Sequence, residues 1–578
     1  MRGFVARFAA AFAAAAAFFA MLGPAAPFTR ELGVCESGAV RDVLAGNIVL
    51  PRFIPGPYVH VPPLYWWTAA LCVRALGWTE LALRLPALGA AALTCAVIYA
   101  WGCDVIGRRA AFWSAAALLT GRFFIDAARQ PRMDTLLALF VTIAALALER
   151  ALAPSSSASR PGVGQAAGSS AAPRTGYFVV AALAIGLGIL AKGVLGIVLP
   201  AAAAGLYLVV RWRWRDIFGL PLIATFTAGL AIGLAWYVAG YLEGGRKFLD
   251  WQLEMNLWSR FIPTGAGGAG YCAHPFWYFA PQVLAGFFPW TLGLPMVAIL
   301  AWPGRARALP EPIVYALCWF AGVFLFFSSS QGKCLVYILP AFAPLALLTG
   351  YAIAAALARA AESEPRGRWL DRAFILANTV VGLCAIAVAL ALGAVVARGT
   401  VPPPLHLHPG DRRALAVLGA LAARRAPELI AIAIAFALSA IALGSGIARH
   451  RVRTQAAGAL IFAAAAAIFW FGLITPGLAQ GESLRDFARA VTRAVPPGAE
   501  VAHLGLSDCD LNFYSPAPLE PIYRLRCAPG APRFVVARTA DFLAAAPANR
   551  ACYAPILESA PVDSAGPRVL LKLNAPPA

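Results

Sequence analysis

Apolar segments long enough to cross a membrane recur along most of this 578-residue chain. A hydrocarbon core of roughly 30 Å requires about 20 apolar residues in a helix, and about thirteen segments meet that requirement. They cover 4–24, 80–104, 110–125, 134–151, 177–193, 194–210, 217–240, 278–302, 311–328, 335–357, 373–396, 428–447 and 455–477. The chain is 61% hydrophobic and only 13% charged, too apolar for a water-soluble protein of this length. The sequence therefore predicts an all-α polytopic membrane protein.

The first apolar segment has two interpretations. It follows Arg2 and Arg7, and the small residues Ala25 and Ala26 stand after it, as in a cleavable signal peptide. The short acidic loop beyond Pro24 is better explained as part of the side of the protein that carries the active site. We therefore favour an uncleaved anchor that is the first span of the bundle.

The formal charge of +20 does not indicate a nucleic-acid partner, because the arginines lie in short loops between apolar segments. Such loops face the cytoplasm, so we place the N-terminus there. This orientation also puts in the cytoplasm Arg108, Arg109, Arg211, Arg213, Arg215, Arg305, Arg307, Arg366, Arg368, Arg372, Arg449, Arg451 and Arg453. The loop 398–427 does not fit this pattern, because the orientation places it on the exported side although it contains four arginines. Either an interfacial amphipathic helix or a miscounted span explains it.

Several segments interrupt the apolar pattern. Two loops, 28–67 and 241–277, are predicted on the exported side, and 154–174 is a flexible cytoplasmic linker by composition. From about residue 481 the chain becomes polar, with a helix-like stretch ESLRDFARAVTRAV and strand-like runs EVAHLGL, RFVVAR and VLLKL. We expect a transmembrane domain over 1–480 and a small exported α/β domain over 481–578.

The eleven cysteines show no CxxC spacing, so neither a zinc ribbon nor a thioredoxin-like redox site is indicated. Most lie in apolar segments, where a thiol fills space. Cys509, Cys527 and Cys552 fall in the exported region, where one disulfide is possible. The sequence leaves its pairing open.

Ionisable side chains near a membrane are costly to bury and indicate function, and here they gather at the predicted exported ends of the spans. They are Glu31, Glu36, Asp126, Arg129, Arg132, Asp134, Lys192, Glu254, Arg260, His274 and Lys333, with Tyr337 nearby. A cavity that holds both carboxylates and cations suits glycosyl transfer from a lipid phosphate. A carboxylate can deprotonate the acceptor while a cation stabilises the departing phosphate.

Ordered sequence blocks over residues 25–345 resemble a known family. The blocks are ELGVCE from Glu31 to Glu36, AGNIVLP, VPPLYWW, RLPAL, ARQPRMD ending at Asp134, GILAKGVLGIVLP around Lys192, EMNLWSRF, HPFWYF and SSSQGKCLVYILP around Lys333. Their order and spacing are similar to those of the GT-C membrane glycosyltransferases, in the superfamily of protein O-mannosyltransferases and lipid A aminoarabinose transferases. The polar tail is similar to that of the bacterial branch.

The resemblance implies a catalytic acidic residue in the first exported loop and basic residues that hold a lipid-linked phosphate. Glu31 is the candidate base and Glu36 the alternative, because this chain has Arg30-Glu31 where the family usually has Asp-Glu. Asp134 would orient a basic partner or the acceptor, or else simply pair with Arg132 or Arg129. The candidate substrate-binding residues are Lys192, Lys333, Arg260, Tyr337 and Arg132.

The chain departs from the family at a lysine. The family's Lys-Pro-Pro in the first loop is Val61-Pro62-Pro63 here, so one phosphate-binding cation is missing. His60, Lys192, Lys333 and Arg260 are the candidates to replace its charge.

A divalent metal ion is a further hypothesis, with His60 and His274 sharing it with Glu36 or Glu254. Aromatic residues in the exported loops, such as Trp66 and Trp277, are interpreted as interfacial anchors rather than sugar-stacking platforms.

These observations predict an enzyme of the bacterial inner membrane whose site faces the periplasm. Its donor would be a sugar on undecaprenyl phosphate and its reaction a direct, inverting displacement. The partners would be that donor, membrane lipids and either a lipid or a protein acceptor, with lipid A or a related envelope lipid favoured. A transporter is the alternative from another class, although its charges would lie nearer the middle of the membrane.

Overall fold

The computed structural model describes residues 2–29, 32–35, 37–52, 61–153, 174–253, 274–302, 308–330, 332–362, 368–399, 409–505, 509–517, 519–528, 530–559 and 566–574. Its first half is helical. The helices are α1 Arg2–Ala20, α2 Leu32–Cys35, α3 Ser37–Leu44, α4 Leu64–Leu76, α5 Glu80–Val105, α6 Arg108–Leu119, α7 Arg122–Arg129, α8 Asp134–Leu152, α9 Arg174–Lys192, α10 Leu195–Val210, α11 Trp214–Ile217 and α12 Leu220–Leu253.

The second half continues the bundle and ends in a small sheet. Its helices are α13 Phe279–Gly286, α14 Leu294–Ala301, α15 Glu311–Ser329, α16 Phe342–Glu362, α17 Arg368–Arg398, α18 Pro409–Arg424, α19 Ala426–Ala448, α20 Val452–Ala467, α21 Thr475–Glu482, α22 Arg485–Ala494, α23 Cys509–Tyr514, α24 Thr539–Ala544 and α25 Pro547–Ala551. Three 3-10 segments, Phe276–Tyr278, Trp290–Gly293 and Leu335–Ala341, and a π-helical segment, Ile468–Ile474, lie between them. The strands are β1 Val501–Leu504, β2 Glu520–Ile522, β3 Phe534–Arg538, β4 Tyr553–Glu558 and β5 Arg568–Leu573.

The prediction of a polytopic helical membrane protein is confirmed. Within the described residues, ten helices are long and apolar enough to cross a membrane, or eleven if a bent pair counts as one span. Each of the thirteen apolar segments predicted from the sequence contains helix, but three of them are not straight spans of full length. The segment 194–210 forms the shorter helix α10.

The two other exceptions are broken. The segment predicted at 110–125 divides into α6 and α7, with Thr120 and Gly121 between them. Thr120 Oγ1 accepts a hydrogen bond from Trp290 Nε1 at 2.9 Å, which ties this break to the neighbouring one. The segment predicted at 278–302 bends by 105° between residues 286 and 290. A hydropathy average cannot detect either break, because the residues at the break are themselves apolar or small.

The helices pack in antiparallel neighbours whose ends fall on two sides. On one side, Arg7 pairs with Asp104 at 2.5 Å, and Arg211 pairs with Glu311 at 2.9 Å. Arg213 Nη1 donates to the carbonyl of Leu152 at 2.5 Å on the same side. The opposite side carries the start of α8 and the end of α9. This division agrees with the sidedness predicted from the arginine-rich loops.

The loop that disagreed with the arginine pattern contains helix α18. This helix contacts α19 and α21, and Val417 packs against Gly477 of α21. Arg413 forms an ion pair with Glu482 at 2.8 Å, with both side chains partly exposed. A short helix with a partly exposed charged face is the arrangement expected of an interfacial helix, so no additional span is needed to explain this segment.

The C-terminal residues form a five-stranded mixed sheet in the order β2-β1-β3-β5-β4. Strands β1, β2 and β3 run parallel to one another, while β5 is antiparallel to both β3 and β4. One face of the sheet packs against α22 through Phe487 and Val491. The predicted helix and the three predicted strands are all present, together with β2 and β4, which the sequence analysis did not identify.

Two disulfides with both cysteines described organise this region. Cys527 pairs with Cys552 inside the C-terminal region, which settles the pairing that the sequence left open. Cys35, at the end of α2, pairs with Cys509 across 474 residues of sequence, which the sequence analysis did not foresee. The second bond joins the loop 28–67 directly to the C-terminal region.

Candidate functional site

The centre of the candidate site is the start of α8. Asp134 is the first residue of that helix, where the free backbone N–H groups and the helix dipole favour a carboxylate. Its side chain is buried, with the residue 2% exposed. The turn from Gln130 to Met133, which the ARQPRMD block forms, orients Asp134 and holds Arg132 beside it. Arg132 Nε lies 3.3 Å from Asp134 Oδ2.

Lys192 ends α9 and forms an ion pair with Asp134 Oδ1. Lys192 is also buried, at 7% exposed, so a cation and a carboxylate are in contact away from water. Its Nζ lies 4.6 Å from the ring centroid of Tyr337, within the range of a cation–π interaction. The structure therefore brings together four sequence-predicted residues, Asp134, Lys192, Arg132 and Tyr337.

The position of Lys192 follows from the glycines around it. Gly193 has φ +64°, a left-handed conformation that ends α9 and that glycine adopts without strain. Three residues later, Gly196 lies against the backbone of Gly188, so closely that a Cβ on Gly196 would overlap it. The tight α9–α10 connection thus fixes where α9 stops and where the lysine lies.

Lys333 lies in the segment that precedes the 3-10 helix Leu335–Ala341. It is 4% exposed, and its Nζ donates to the carbonyl of Ser330. The single O–H of Ser330 is shared between two acceptors, the carbonyls of Phe327 at 2.8 Å and Gly332 at 3.0 Å. Lys333 is thus a second buried cation, four residues before Tyr337 in the chain. Cys334, next to it, is disulfide-bonded.

Asp126 and Arg129 lie on α7, just before the turn. Gln130 Nε2 donates to Asp126 Oδ2 at 3.2 Å. Burial raises the pKa of the Asp126 carboxyl, and the neighbouring Arg129, Arg122 and Arg132 oppose that rise. Arg129 is 8% exposed, and its guanidinium carbon lies 5.4 Å from the ring centroid of Phe471 in the π-helical segment. These residues add charge to the same end of the bundle.

The loop 28–67 meets this site through a shared apolar cluster. Val34 and Val40 from the loop are buried in one cluster with Met133 and Ala191, the residues that precede Asp134 and Lys192. Trp236 belongs to the same cluster, and its Nε1 donates to the carbonyl of Val49 at 2.8 Å. The loop is therefore packed directly over the elements that carry the buried ion pair.

Five sequence candidates lie outside the described residues: Glu31, Glu36, His60, Glu254 and Arg260. Val61, which replaces the family lysine, is 5% exposed and buried in the same apolar cluster as Val34. His274 is described, and its ring stacks on Tyr278 with the centroids 3.9 Å apart. Among the residues that the structure describes, no group of three or more His, Cys, Asp and Glu side chains could hold a metal ion. The metal hypothesis also involves His60, Glu36 and Glu254, so it stays a prediction.

Two residues near the loop were not singled out as site residues from the sequence. Arg84, within the RLPAL block, is 3% exposed and donates to the carbonyls of Pro24, at 3.0 Å, and Ala26. Its guanidinium carbon also lies 4.3 Å from the ring centroid of Phe28. Arg41 binds the C-terminal domain, as described below. An arginine inside an apolar run was the available signal for Arg84, whereas nothing in the sequence near Arg41 indicates its partner.

The sequence of this chain is similar to those of known membrane glycosyltransferases. Residues 60–238 match the model of the family described as dolichyl-phosphate-mannose-protein mannosyltransferase. A protein named undecaprenyl phosphate-alpha-4-amino-4-deoxy-L-arabinose arabinosyl transferase, from Pseudomonas aeruginosa, is 30% identical over 319 residues, which is 54% of this chain and 53% of the relative. The protein of the same name from Edwardsiella ictaluri is 28% identical over 316 residues, 54% of this chain and 53% of the relative. The chain thus spans about half the length of the curated relatives it matches.

The solved structures extend the likeness to the whole fold. ArnT from Cupriavidus metallidurans, bound to undecaprenyl phosphate, aligns with a TM-score of 0.73 at 19% identity, over 100% of this chain and 99% of that one. Its apo state aligns with a TM-score of 0.71 at 20% identity, over the same shares of the two chains. The chain therefore has the same fold as ArnT, and the predicted likeness to the GT-C membrane glycosyltransferases is confirmed at the level of the fold.

Proposed function

We propose that this protein transfers a monosaccharide from a polyprenyl phosphate to an acceptor at the exported face of the bacterial inner membrane. The observation that carries the proposal is the buried ion pair of Asp134 and Lys192, with the half-buried Tyr337 beside it, next to the apolar cluster that includes the first exported loop, in a fold shared with ArnT. A buried cation beside a membrane boundary is suited to an anionic headgroup whose lipid tail stays in the bilayer. The named relatives support undecaprenyl phosphate as the lipid carrier.

The chemistry requires a base and a stabilised leaving group. In the proposed reaction, Glu31 or Glu36 takes the proton of the acceptor, and the acceptor oxygen attacks the anomeric carbon. The bond between that carbon and the phosphate oxygen breaks, and the charge that develops on the phosphate is stabilised by Lys192, Lys333 and Arg260. Asp134 and Arg132 orient Lys192. A single displacement of this kind inverts the configuration at the anomeric carbon.

The acceptor and the orientation belong to the same proposal. Lipid A or another envelope lipid is the acceptor we favour, because the sequence blocks and the polar tail most resemble the lipid A aminoarabinose transferase branch, and the named relatives transfer an aminoarabinose. A secreted protein is the alternative acceptor within the same fold. Disulfides persist in oxidising compartments such as the periplasm, so the bonds Cys35–Cys509 and Cys527–Cys552 support an exported first loop and an exported C-terminal domain.

The test is sugar transfer by cells that carry the chain or its Glu31→Gln or Glu36→Gln variant. Labelled sugar is followed into separated lipid and protein fractions by mass spectrometry. We expect a lipid whose mass is increased by one sugar. The amount of this modified lipid should fall by about a hundredfold or more in the variant that lacks the base. Glu428→Gln is the matched control, because Glu428 pairs with Arg425 at the start of α19 and lies outside the proposed site. It should leave transfer unchanged.

Each result has a distinct meaning. A shift in the protein fraction would favour a protein acceptor over a lipid. Transfer that persists in both Glu31→Gln and Glu36→Gln would remove these residues from the role of base. No transfer by the unaltered chain, in either fraction and from any polyprenyl-phosphate sugar supplied, would contradict the proposed function and leave a transporter as the better explanation of the fold.

A further inference from the structure

The first exported loop is attached to the C-terminal domain by a covalent bond. Cys35 ends α2, and Cys509 begins α23, a six-residue helix of the C-terminal domain. Glu36 follows Cys35 directly in the sequence, and Glu31 precedes α2. A helix of four residues is too short to be stable without tertiary contacts, so α2 depends on whatever it is attached to.

An arginine from the next helix of the loop strengthens this attachment. Arg41, on α3, donates through Nη2 to the carbonyls of Ser515 at 2.7 Å and Phe513 at 3.3 Å, and through Nη1 to the carbonyl of Pro516 at 2.8 Å. These carbonyls belong to the last turn of α23 and to the two residues that follow it, where backbone acceptors lack helical partners and attract a cation. The guanidinium also lies 4.4 Å from a ring centroid of Trp78.

Phe513 carries the contact into the membrane domain. It is 2% exposed and meets Phe28 edge to face at 4.8 Å and Trp78 in a stacked arrangement at 5.3 Å, both between ring centroids. Trp78 Nε1 donates to the carbonyl of Phe513 at 2.9 Å. Phe513 belongs to the same apolar cluster as Met133 and Ala191, the neighbours of Asp134 and Lys192 in the chain.

Tyr514 fixes the other end of the loop. Its hydroxyl accepts from the backbone N–H of Phe28 at 2.8 Å and donates to Glu80 Oε1 at 3.0 Å. Burial raises the pKa of Tyr514 to about 12, so the hydroxyl keeps the proton that it donates. Glu80 also pairs with Arg485 on α22. The segment 509–517 therefore holds residues 28, 35 and 41 at once.

We infer that the segment 509–517 is a clamp that positions the first exported loop for catalysis, and that the Cys35–Cys509 disulfide locks it. The inference rests on the proposed function, since the loop carries the candidate bases Glu31 and Glu36. Cys35, Cys509 and Arg41 are positioning residues, because they act through the loop. A displaced base slows the chemical step while the lipid-phosphate donor binds as before, and a displacement of about 1 Å is enough to lower the rate by roughly a hundredfold.

The Cys35–Cys509 bond is first verified on the full chain. A protease site inserted in the linker 154–173 separates Cys35 from Cys509 after cleavage. We expect the two fragments to migrate as one species on a denaturing gel without reductant and as two with it. The Cys35→Ser variant should give two fragments in both cases. Two fragments from the unaltered chain without reductant would contradict the bond and the inference.

The kinetic test compares two matched double variants. Cys35→Ser/Cys509→Ser removes the clamp bond, and Cys527→Ser/Cys552→Ser removes the disulfide that lies wholly within the C-terminal domain. With a polyprenyl-phosphate sugar as donor, we expect the first variant to lose about tenfold to a hundredfold in kcat with the KM for the donor unchanged. The second variant should keep both constants. An unchanged kcat in the first variant, or an equal loss in both, would overturn the clamp.

Two further readouts cover misfolding and a failure of the proposed function. Reductant added to Cys527→Ser/Cys552→Ser protein should lower kcat reversibly, whereas it should not affect Cys35→Ser/Cys509→Ser. An equal effect on both would trace the loss to Cys334 and contradict the clamp. Amide hydrogen exchange over residues 32–52 should accelerate only in Cys35→Ser/Cys509→Ser. If the unaltered chain transfers no sugar, the proposed function fails while this exchange still decides whether the clamp exists.

Discussion

At the scale of single residues, the buried pair of Asp134 and Lys192 is the arrangement that most requires an explanation. Bringing both charges out of water costs several kcal/mol for each ion, and their attraction compensates for this only when the geometry is good. Hydrophobic residues of similar volume would be a cheaper way to join α8 and α9. The pair is therefore better explained by a role in the site than by stability alone, and the two roles can be separated by mutation.

Replacing Lys192 alone should destabilise the protein. Lys192→Met leaves a buried carboxylate with Arg132 beside it, and we expect the free energy of unfolding to fall by about 3–5 kcal/mol. The double variant Asp134→Asn/Lys192→Met leaves no unpaired carboxylate at this position, so most of that stability should return. Transfer activity should stay low in both variants, because the cation for the phosphate is absent from each. Thermal unfolding in detergent and the sugar-transfer assay measure the two effects.

Arg425→Met is the control for this experiment. Arg425 and Glu428 form a partly exposed pair on one helix, and such pairs contribute only about 0–1 kcal/mol. The variant should unfold and react like the unaltered protein. Activity that recovered together with stability in Asp134→Asn/Lys192→Met would show that the buried pair is structural only, and Lys192 would lose its proposed role.

At the scale of secondary-structure elements, the junction of α9 and α10 sets the position of Lys192. The two helices approach most closely at Gly188 and Gly196, where no side chain separates the two backbones. Gly205, on the same helix α10, has no atom within 4 Å of the position that a Cβ would occupy. The chain thus offers one tight glycine and one open glycine on a single element.

Gly196→Ala should move α9 relative to α10, because its Cβ would overlap the backbone of Gly188 and Ile189. Overpacking of this kind typically costs about 1–3 kcal/mol, and here it also displaces Lys192 from Asp134. We therefore expect a lower unfolding temperature together with a loss of transfer activity. Gly205→Ala should be neutral or slightly stabilising, since alanine favours helix more than glycine does. Equal behaviour of the two variants, measured side by side, would contradict this account of the junction.

The sequence predicted the elements better than their interruptions. The runs that became α8 and α9 were identified within a few residues, because an uninterrupted apolar run in a bilayer must satisfy its backbone internally and therefore forms a helix. The break at Thr120 and Gly121 was not predicted, because two small residues hardly change the mean hydropathy of the segment. The bend within 278–302 was not predicted either, because its residues continue the apolar run. Hydropathy records length and polarity, whereas a break depends on what packs beside it.

The candidate site shows the same division. Alternation of spans predicted that Asp134, Lys192 and Lys333 would share one side of the membrane, and the structure places the start of α8 and the end of α9 there. Asp134 was expected to orient a basic partner or the acceptor, or else simply to pair with Arg132 or Arg129; in the structure it pairs with both Arg132 and Lys192. The lysine lies 58 residues away on another helix, so its distance depends on how α8 and α9 pack. The Cys35–Cys509 bond, across 474 residues, was beyond any local pattern.

At the scale of the whole molecule, the structure separates two faces that the arginine pattern assigned to two compartments. One face carries the arginine-rich helix ends, such as the Arg211-Trp212-Arg213 turn after α10. The other face carries the clamp and the C-terminal domain. The disulfides lie on the second face. Since disulfides and positive loops are independent indicators of compartment, their agreement supports an exported C-terminal domain.

Labelling from outside the cell tests this orientation. Trp212 is 81% exposed on the arginine-rich face, and Leu543 is 58% exposed on α24 of the C-terminal domain. In spheroplasts, a membrane-impermeant maleimide should label Leu543→Cys at once but Trp212→Cys only after the membrane is permeabilised, because the reagent reaches only the exported face. The unaltered chain measures the background from its free cysteines, which include Cys72, Cys95 and Cys318. Labelling of Trp212→Cys in intact spheroplasts, with Leu543→Cys protected, would reverse the orientation and place the buried Lys192 site in the cytoplasmic half. An acceptor in the envelope would then be out of reach.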